Sequence, residues 1–224
     1  MIYIYTHQGL GDHIICNGLI RHFVDIQNEV TVFCKPQYES NVSWMFRDDT
    51  RIKVLAVGQD QDTVNYIMQN NLITNTLLVG FDRLWREFQP PVVETFDEAF
   101  YKMSYLPFEY RFTKFKYERD FQKEKEAFDF VNPNNEPYIF VHGDVDKSKV
   151  RSDLKIVENP TNFGIFDILT ILENAEEIHI MESSIKCLIN SYTFEKPKLF
   201  YHQYVRGYDG YYNSKGKNKF EIIY

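Results

Sequence analysis

Segments with the composition of β-strands alternate with segments of helical periodicity along this chain, and that alternation restricts the fold more than any other feature. Residues 1–6 are apolar and β-rich, and Gly9-Leu10-Gly11 breaks the chain. Ile14, Ile15, Leu19, Phe23 and Val24 then recur at helical spacing. Strands are predicted at 30–34, 52–57 and 76–81, with helices over about 37–47 and 62–69 between them. The middle reads differently. Gln89-Pro90-Pro91 is a turn, Thr95 is placed to cap a helix through Met103, and Asp120 to Phe130 is a charged amphipathic helix. Alternation resumes with strands at 138–141, 155–157, 177–181 and 198–202, and helices over 166–172 and 185–192. Phe220–Tyr224 reads as an edge strand or as a segment lying across the other half. Repeated strand–helix units imply parallel sheets with helices on both faces. The predicted class is therefore α/β, in two Rossmann-like lobes with parallel sheets. The boundary falls near 110–120, giving lobes 1–112 and 113–224.

A length of 224 residues and 44% hydrophobic composition suffice for two small cores. No apolar run approaches the ~18 residues of a membrane span. Met1-Ile2-Tyr3-Ile4-Tyr5-Thr6 reads as a first strand and not as a signal peptide. The net charge of -7 argues against a nucleic-acid partner, because phosphate neutralisation needs a basic surface. Cys16, Cys34 and Cys187 are an odd number without a Cys-x-x-Cys pair, which fits a reducing, cytoplasmic setting.

Three segments carry residues suited to chemistry. Gly9-Leu10-Gly11-Asp12-His13 joins the first strand to the first helix, where open α/β sheets bind ligands. Glycines admit close backbone approach, and a helix N-terminus favours anions. The plainer reading is a tight turn with Asp12 capping the helix. The second segment runs from His142-Gly143-Asp144 to Arg151, and places Lys147, Lys149 and Arg151 in one loop after a strand. Arg151 offers a planar donor fork for phosphate, although a solvated loop is the ordinary role of such lysines. The third is Glu182-Ser183-Ser184, delivered by a buried strand to a helix N-terminus. The serines suit a cap and a diphosphate alike, and Glu182 suits ribose hydroxyls. His179, mid-strand, reads as a hydrogen-bonded core histidine.

The dinucleotide fingerprint fails, because Ile14 occupies its third glycine position and the second strand ends in Cys34-Lys35-Pro36, with no acid there to hold a ribose. No nucleophile elbow, Walker loop or HExxH motif occurs, and the bare spacing of Asp144-Val145-Asp146 is a weak metal signal. No metal or cofactor is expected.

Gly9-Leu10-Gly11-Asp12-His13-Ile14-Ile15 resembles the glycine–aspartate loop that opens the bacterial heptosyltransferase family. The strand leading to Glu182-Ser183-Ser184 resembles that family's donor-phosphate loop. The resemblance covers both ends of the chain and implies a compact glycosyltransferase of the GT-B fold. It implies an N-terminal acceptor lobe and a C-terminal lobe for a nucleoside-diphosphate sugar, the co-substrate. Transfer to a glycan or other hydroxyl acceptor is then metal-independent and inverting. Asp12 takes the role of catalytic base, with His13 as the neighbouring rival. Gly9, Gly11, His142, Lys147, Arg151, Glu182, Ser183 and Ser184 are the expected binding residues. A nucleotide- or sugar-binding protein without catalysis is the second reading, and a Rossmann oxidoreductase the third.

Overall fold

The computed structural model describes residues 2–80, 95–205 and 215–224. Phe81, at the end of the expected fourth strand, and the expected turn at Gln89-Pro90-Pro91 lie outside these residues. The chain divides into two compact units, Met1–Glu118 with Gly210–Lys215, and Arg119–Asp209 with Gly216–Tyr224.

The first unit holds β1 (Ile2–Tyr5), β2 (Val30–Cys34), β3 (Ile52–Ala56) and β4 (Thr76–Leu78). They form one parallel sheet in the order β3-β2-β1-β4. Its helices among the described residues are α1 (Leu10–Ile15), α2 (Asn17–Gln27), α3 (Glu39–Met45), α4 (Asp60–Gln69), α5 (Phe96–Met103) and α6 (Tyr110–Thr113). Side chains alternate between the two faces of a strand. On one face, Tyr5 and Phe33 pack against Ile67 of α4, with Tyr3 and Leu55 beside them. On the other, Ile4, Val30 and Val32 are fully buried. Thr95 occupies the N-cap position of α5, as its place before Phe96 predicts, and the Glu98 carboxylate returns to accept its N–H at 3.2 Å.

The second unit holds β5 (Tyr138–Val141), β6 (Lys155–Glu158), β7 (Glu177–Ile180), β8 (Lys198–His202) and β9 (Glu221–Ile223). All are parallel, in the order β6-β5-β7-β8-β9. Its helices are α7 (Phe121–Val131), α8 (Leu169–Asn174) and α9 (Ser184–Ser191). The Tyr138 face is helical: Phe128 of α7 meets the Tyr138 ring, and the Tyr138 hydroxyl donates to the Ile171 carbonyl at 2.5 Å.

The opposite face departs from the expected helical cover. The β5–β6 connection contains only a 3-10 turn at Lys147–Lys149. Val145 and Val150 of this segment pack on Ile139 and Val141 in place of a helix. A second difference is that α8 begins at Leu169 and not at 166. Asp167 turns the chain first, by accepting the Gly164 N–H at 2.9 Å while donating its own to the Gly164 carbonyl at 3.0 Å. The α/β class with two parallel sheets is as the alternation predicts.

Candidate functional site

In the order β3-β2-β1-β4, the chain leaves β1 toward β2 on one side while β4 lies on the other. The carboxyl end of β1 is thus a topological switch point, where open sheets form their binding crevice. The connection that starts there is 6–9, shorter than the sequence suggests, because α1 already begins at Leu10. Gly11 therefore sits in the first helical turn, and the N-cap is Gly9 and not Asp12.

The connection is held at every residue. Gln8 adopts a left-handed φ of 54°, and its buried amide is fixed to Thr63 of α4 at 3.0 Å. Thr6 Oγ1 lies 3.2 Å from His13 Nδ1. The Gly9 N–H donates to Asp12 Oδ2 at 3.0 Å. A Cβ on Gly9 would stand 2.6 Å from that same oxygen, which is why glycine suits the position.

Around Asp12 the carboxyl ends of neighbouring strands add charged groups. Lys35, just past β2, pairs with Asp60 at the start of α4, 2.6 Å apart, and the Tyr5 hydroxyl donates to the other Asp60 oxygen at 3.1 Å. Asp12 is half-buried, yet its surroundings are crowded enough that burial raises its carboxyl above the usual range. His7, the Gly9 N–H and Lys35 pull the other way. For Asp60 burial is also the largest influence and acts upward, but Lys35, Tyr5 and His7 together outweigh it and hold the carboxyl low. His13 is fully buried, and burial with the nearby Lys35 pushes its imidazole down to about 3. Asp12 is then a carboxyl of enhanced basicity beside an imidazole of very weak basicity.

In the second unit the order places the switch point between β5 and β7. His142-Gly143-Asp144 leaves one strand end and Met181-Glu182-Ser183 the other. Gly143 has a φ of 82°, and a Cβ there would meet the Met181 side chain at 2.7 Å. The His142 N–H donates to the His179 carbonyl at 2.9 Å, tying the two segments together. Ser183 is the N-cap of α9 and accepts the Lys186 N–H at 3.3 Å. The Glu182 carboxylate meets the buried Lys186 ammonium at 2.5 Å, and that ammonium lies 4.2 Å above the Tyr201 ring.

The structure does not bring Arg151 to these serines. The β5–β6 connection returns toward the amino ends of the strands, so Arg151 pairs with Asp153 and, at 3.2 Å, with Glu177, the first residue of β7. About 10 Å of strand separates that end from the one that leads to Ser183. Lys147 pairs with Glu158, and Lys149 donates to the Tyr224 main-chain oxygen at 2.7 Å. Asp146 Oδ1 accepts the Ser148 N–H at 2.9 Å, which engages the acid of the Asp-Val-Asp spacing locally. Among the described residues no group of three or more His, Cys, Asp or Glu is gathered for a metal ion. No described helix is long and apolar enough to cross a membrane.

Sequence reasoning passed over Lys35, Asp60 and Lys186. Lys35 and Asp60 meet only once β2 and β3 pair, and no spacing signals it. Glu182 and Lys186 stand four apart across a helix start, a visible i,i+4 signal.

No family model and no curated protein matches the sequence. Among solved structures, the chain is similar to the crystal structure of the glycosyl transferase family 9 from Veillonella parvula DSM 2008. The TM-score is 0.59 at 10% identity, over 99% of this chain and 86% of that one. The chain has that protein's fold. Its two parallel sheets are accordingly those of a GT-B-like architecture.

Proposed function

We propose that the chain is a glycosyltransferase that moves a sugar from a nucleoside-diphosphate sugar to a hydroxyl acceptor, with inversion and without a metal. The observation that carries this reading is Asp12. It stands at the switch point of the first sheet, on the first turn of α1, with its carboxyl raised by burial. The likeness in fold to a glycosyl transferase supports the same class. In this reading Asp12 takes the acceptor proton as the hydroxyl attacks the anomeric carbon. Lys35 and Asp60 shape the field around it. His13, with its imidazole pushed to about 3, is not the base.

The donor diphosphate is assigned to the N-terminus of α9, where backbone N–H groups and the Ser183 and Ser184 hydroxyls suit the departing phosphates. His142 and Gly143 form the facing edge. Lys186, and not Arg151, is the cation at this helix end. A thermal-shift screen against nucleoside diphosphates and sugar nucleotides tests the donor assignment, because a ligand that binds the native state raises Tm. No shift with any member would remove it.

One observation favours a second reading, a sugar-nucleotide-binding protein without catalysis. Arg151 and Glu182 are both engaged in internal ion pairs. Binding without release of nucleoside diphosphate would select it.

A further inference from the structure

Four polar side chains line up across the non-helical face of the second sheet. Glu177 Oε2 lies 3.2 Å from His179 Nε2, His179 Nδ1 lies 2.9 Å from His202 Nε2, and His202 Nδ1 lies 3.0 Å from the Tyr204 hydroxyl. The Asp146 N–H donates to that hydroxyl at 3.0 Å. Glu177, His179 and His202 are buried, and Phe200 stacks on the His179 ring at 4.5 Å.

The donors in this row can run in one direction only. A carboxylate accepts, so His179 carries its proton on Nε2. Its Nδ1 is then an acceptor, so His202 carries its proton on Nε2. His202 Nδ1 accepts in turn, and the Tyr204 O–H donates to it. The Tyr204 oxygen is left to accept from the Asp146 main chain. A proton added to His179 would set two N–H groups against each other at 2.9 Å. One added to His202 Nδ1 would turn the Tyr204 O–H away, toward the Asp146 N–H that the same oxygen accepts.

We propose that Glu177, His179, His202 and Tyr204 form a one-way hydrogen-bond latch that fastens the 144–151 segment across the sheet and releases it on acidification. The inference does not depend on the glycosyltransferase reading. Release begins with a solvent proton that bonds to His202 Nδ1; no bond between heavy atoms changes. The charges facing the row are largely paired. On the crossing segment Arg151 bridges Glu177 and Asp153, Lys147 pairs with Glu158 of β6, and Lys149 lies 4.1 Å above the Tyr204 ring. Asp146 is on the same segment, and Glu221 of β9 stands beside Phe200 in the register. Burial, His179 and Lys149 lower the His202 imidazole to about 4 against the pull of Asp146. Burial lowers His179 too, against the pull of Glu177.

Amide hydrogen exchange of Asp146 reads the latch directly, with the Ile178 amide of β7 as internal reference. Protection corrected for the intrinsic rate is expected to fall by about tenfold per pH unit between about 6.5 and about 4, while Ile178 stays protected. Tyr204→Phe should abolish the protection of Asp146 at pH 7 and leave Ile178 unchanged. In the wild-type protein, imidazole nitrogen shifts at pH 7 should place the proton on Nε2 of both histidines. Protection that is flat across this interval would overturn the latch. So would a parallel loss at Ile178, wild-type protection of Asp146 in Tyr204→Phe, or a proton on His202 Nδ1.

Discussion

The Asp12 carboxylate accepts the Gly9 N–H at 3.0 Å, so the residue proposed as base is aimed by the glycine that ends the β1 loop. At Gly9 the backbone, with φ −73°, would accept any residue; the constraint is the space taken by Asp12. Gly9→Ala should therefore fold, with a destabilisation of ~1 kcal/mol or less, and displace the carboxylate. Tm and turnover measured together check this: Tm near wild type with turnover clearly reduced is the expected outcome.

Gly18 presents the contrasting case. A Cβ there would stand 2.0 Å from the Tyr110 carbonyl oxygen, and backbone cannot swing aside as a side chain can. Gly18→Ala should destabilise the first unit by ~1–3 kcal/mol or more, because α2 and α6 must separate. Urea unfolding of the two glycine variants side by side gives the comparison, and equal losses would contradict it.

Arg111 and Asp97 form an ion pair in which both side chains are fully buried, and Asp97 also accepts the Lys215 N–H at 3.1 Å. Removing one partner strands a charge in a medium that cannot hydrate it. Asp97→Asn should cost ~3–5 kcal/mol in denaturant unfolding. Replacing both residues by apolar ones should recover part of that loss.

Stability should fall as the solution is acidified from neutrality. His13 titrates at about 3 in the folded chain against an ordinary 6.5, so between these values the unfolded chain binds a proton that the native chain refuses. Stability is thus complete above 6.5 and declines below it, by up to ~1.4 kcal/mol per pH unit for this group. Asp12, raised above its ordinary 3.8, acts in the opposite sense from 3.8 up to its folded value. The difference in slope between wild type and His13→Gln isolates the histidine. Identical slopes would show that His13 protonates freely in the native state.

The strands were legible because β-branched and aromatic residues cluster in 2–5, 30–34, 138–141 and 177–180. Helix starts were legible where a cap precedes the apolar period, as at Thr95 and Ser183. Pairings between strands were not. Lys35 and Asp60, or His179 and His202, become neighbours only through a strand order that local propensity does not encode. The same cause hid the course of the 144–154 segment. Its loop composition is plain, but nothing local says that it returns across a sheet face and carries Arg151 to Glu177. His179, read as a hydrogen-bonded core histidine, is bonded at both ring nitrogens.

As the proposed base, Asp12 must take a proton from the acceptor hydroxyl. Asparagine in its place can still accept the Gly9 N–H and keep the first turn of α1, but it cannot serve as a base. The direct measurement is nucleoside-diphosphate release from a panel of sugar nucleotides, with water or added glycans as acceptor, for wild type and Asp12→Asn. Wild type is expected to release nucleoside diphosphate, and the variant to do so ~10²–10⁴-fold more slowly, with Tm and donor affinity retained. Near-wild-type turnover in Asp12→Asn would contradict the role of Asp12 as base.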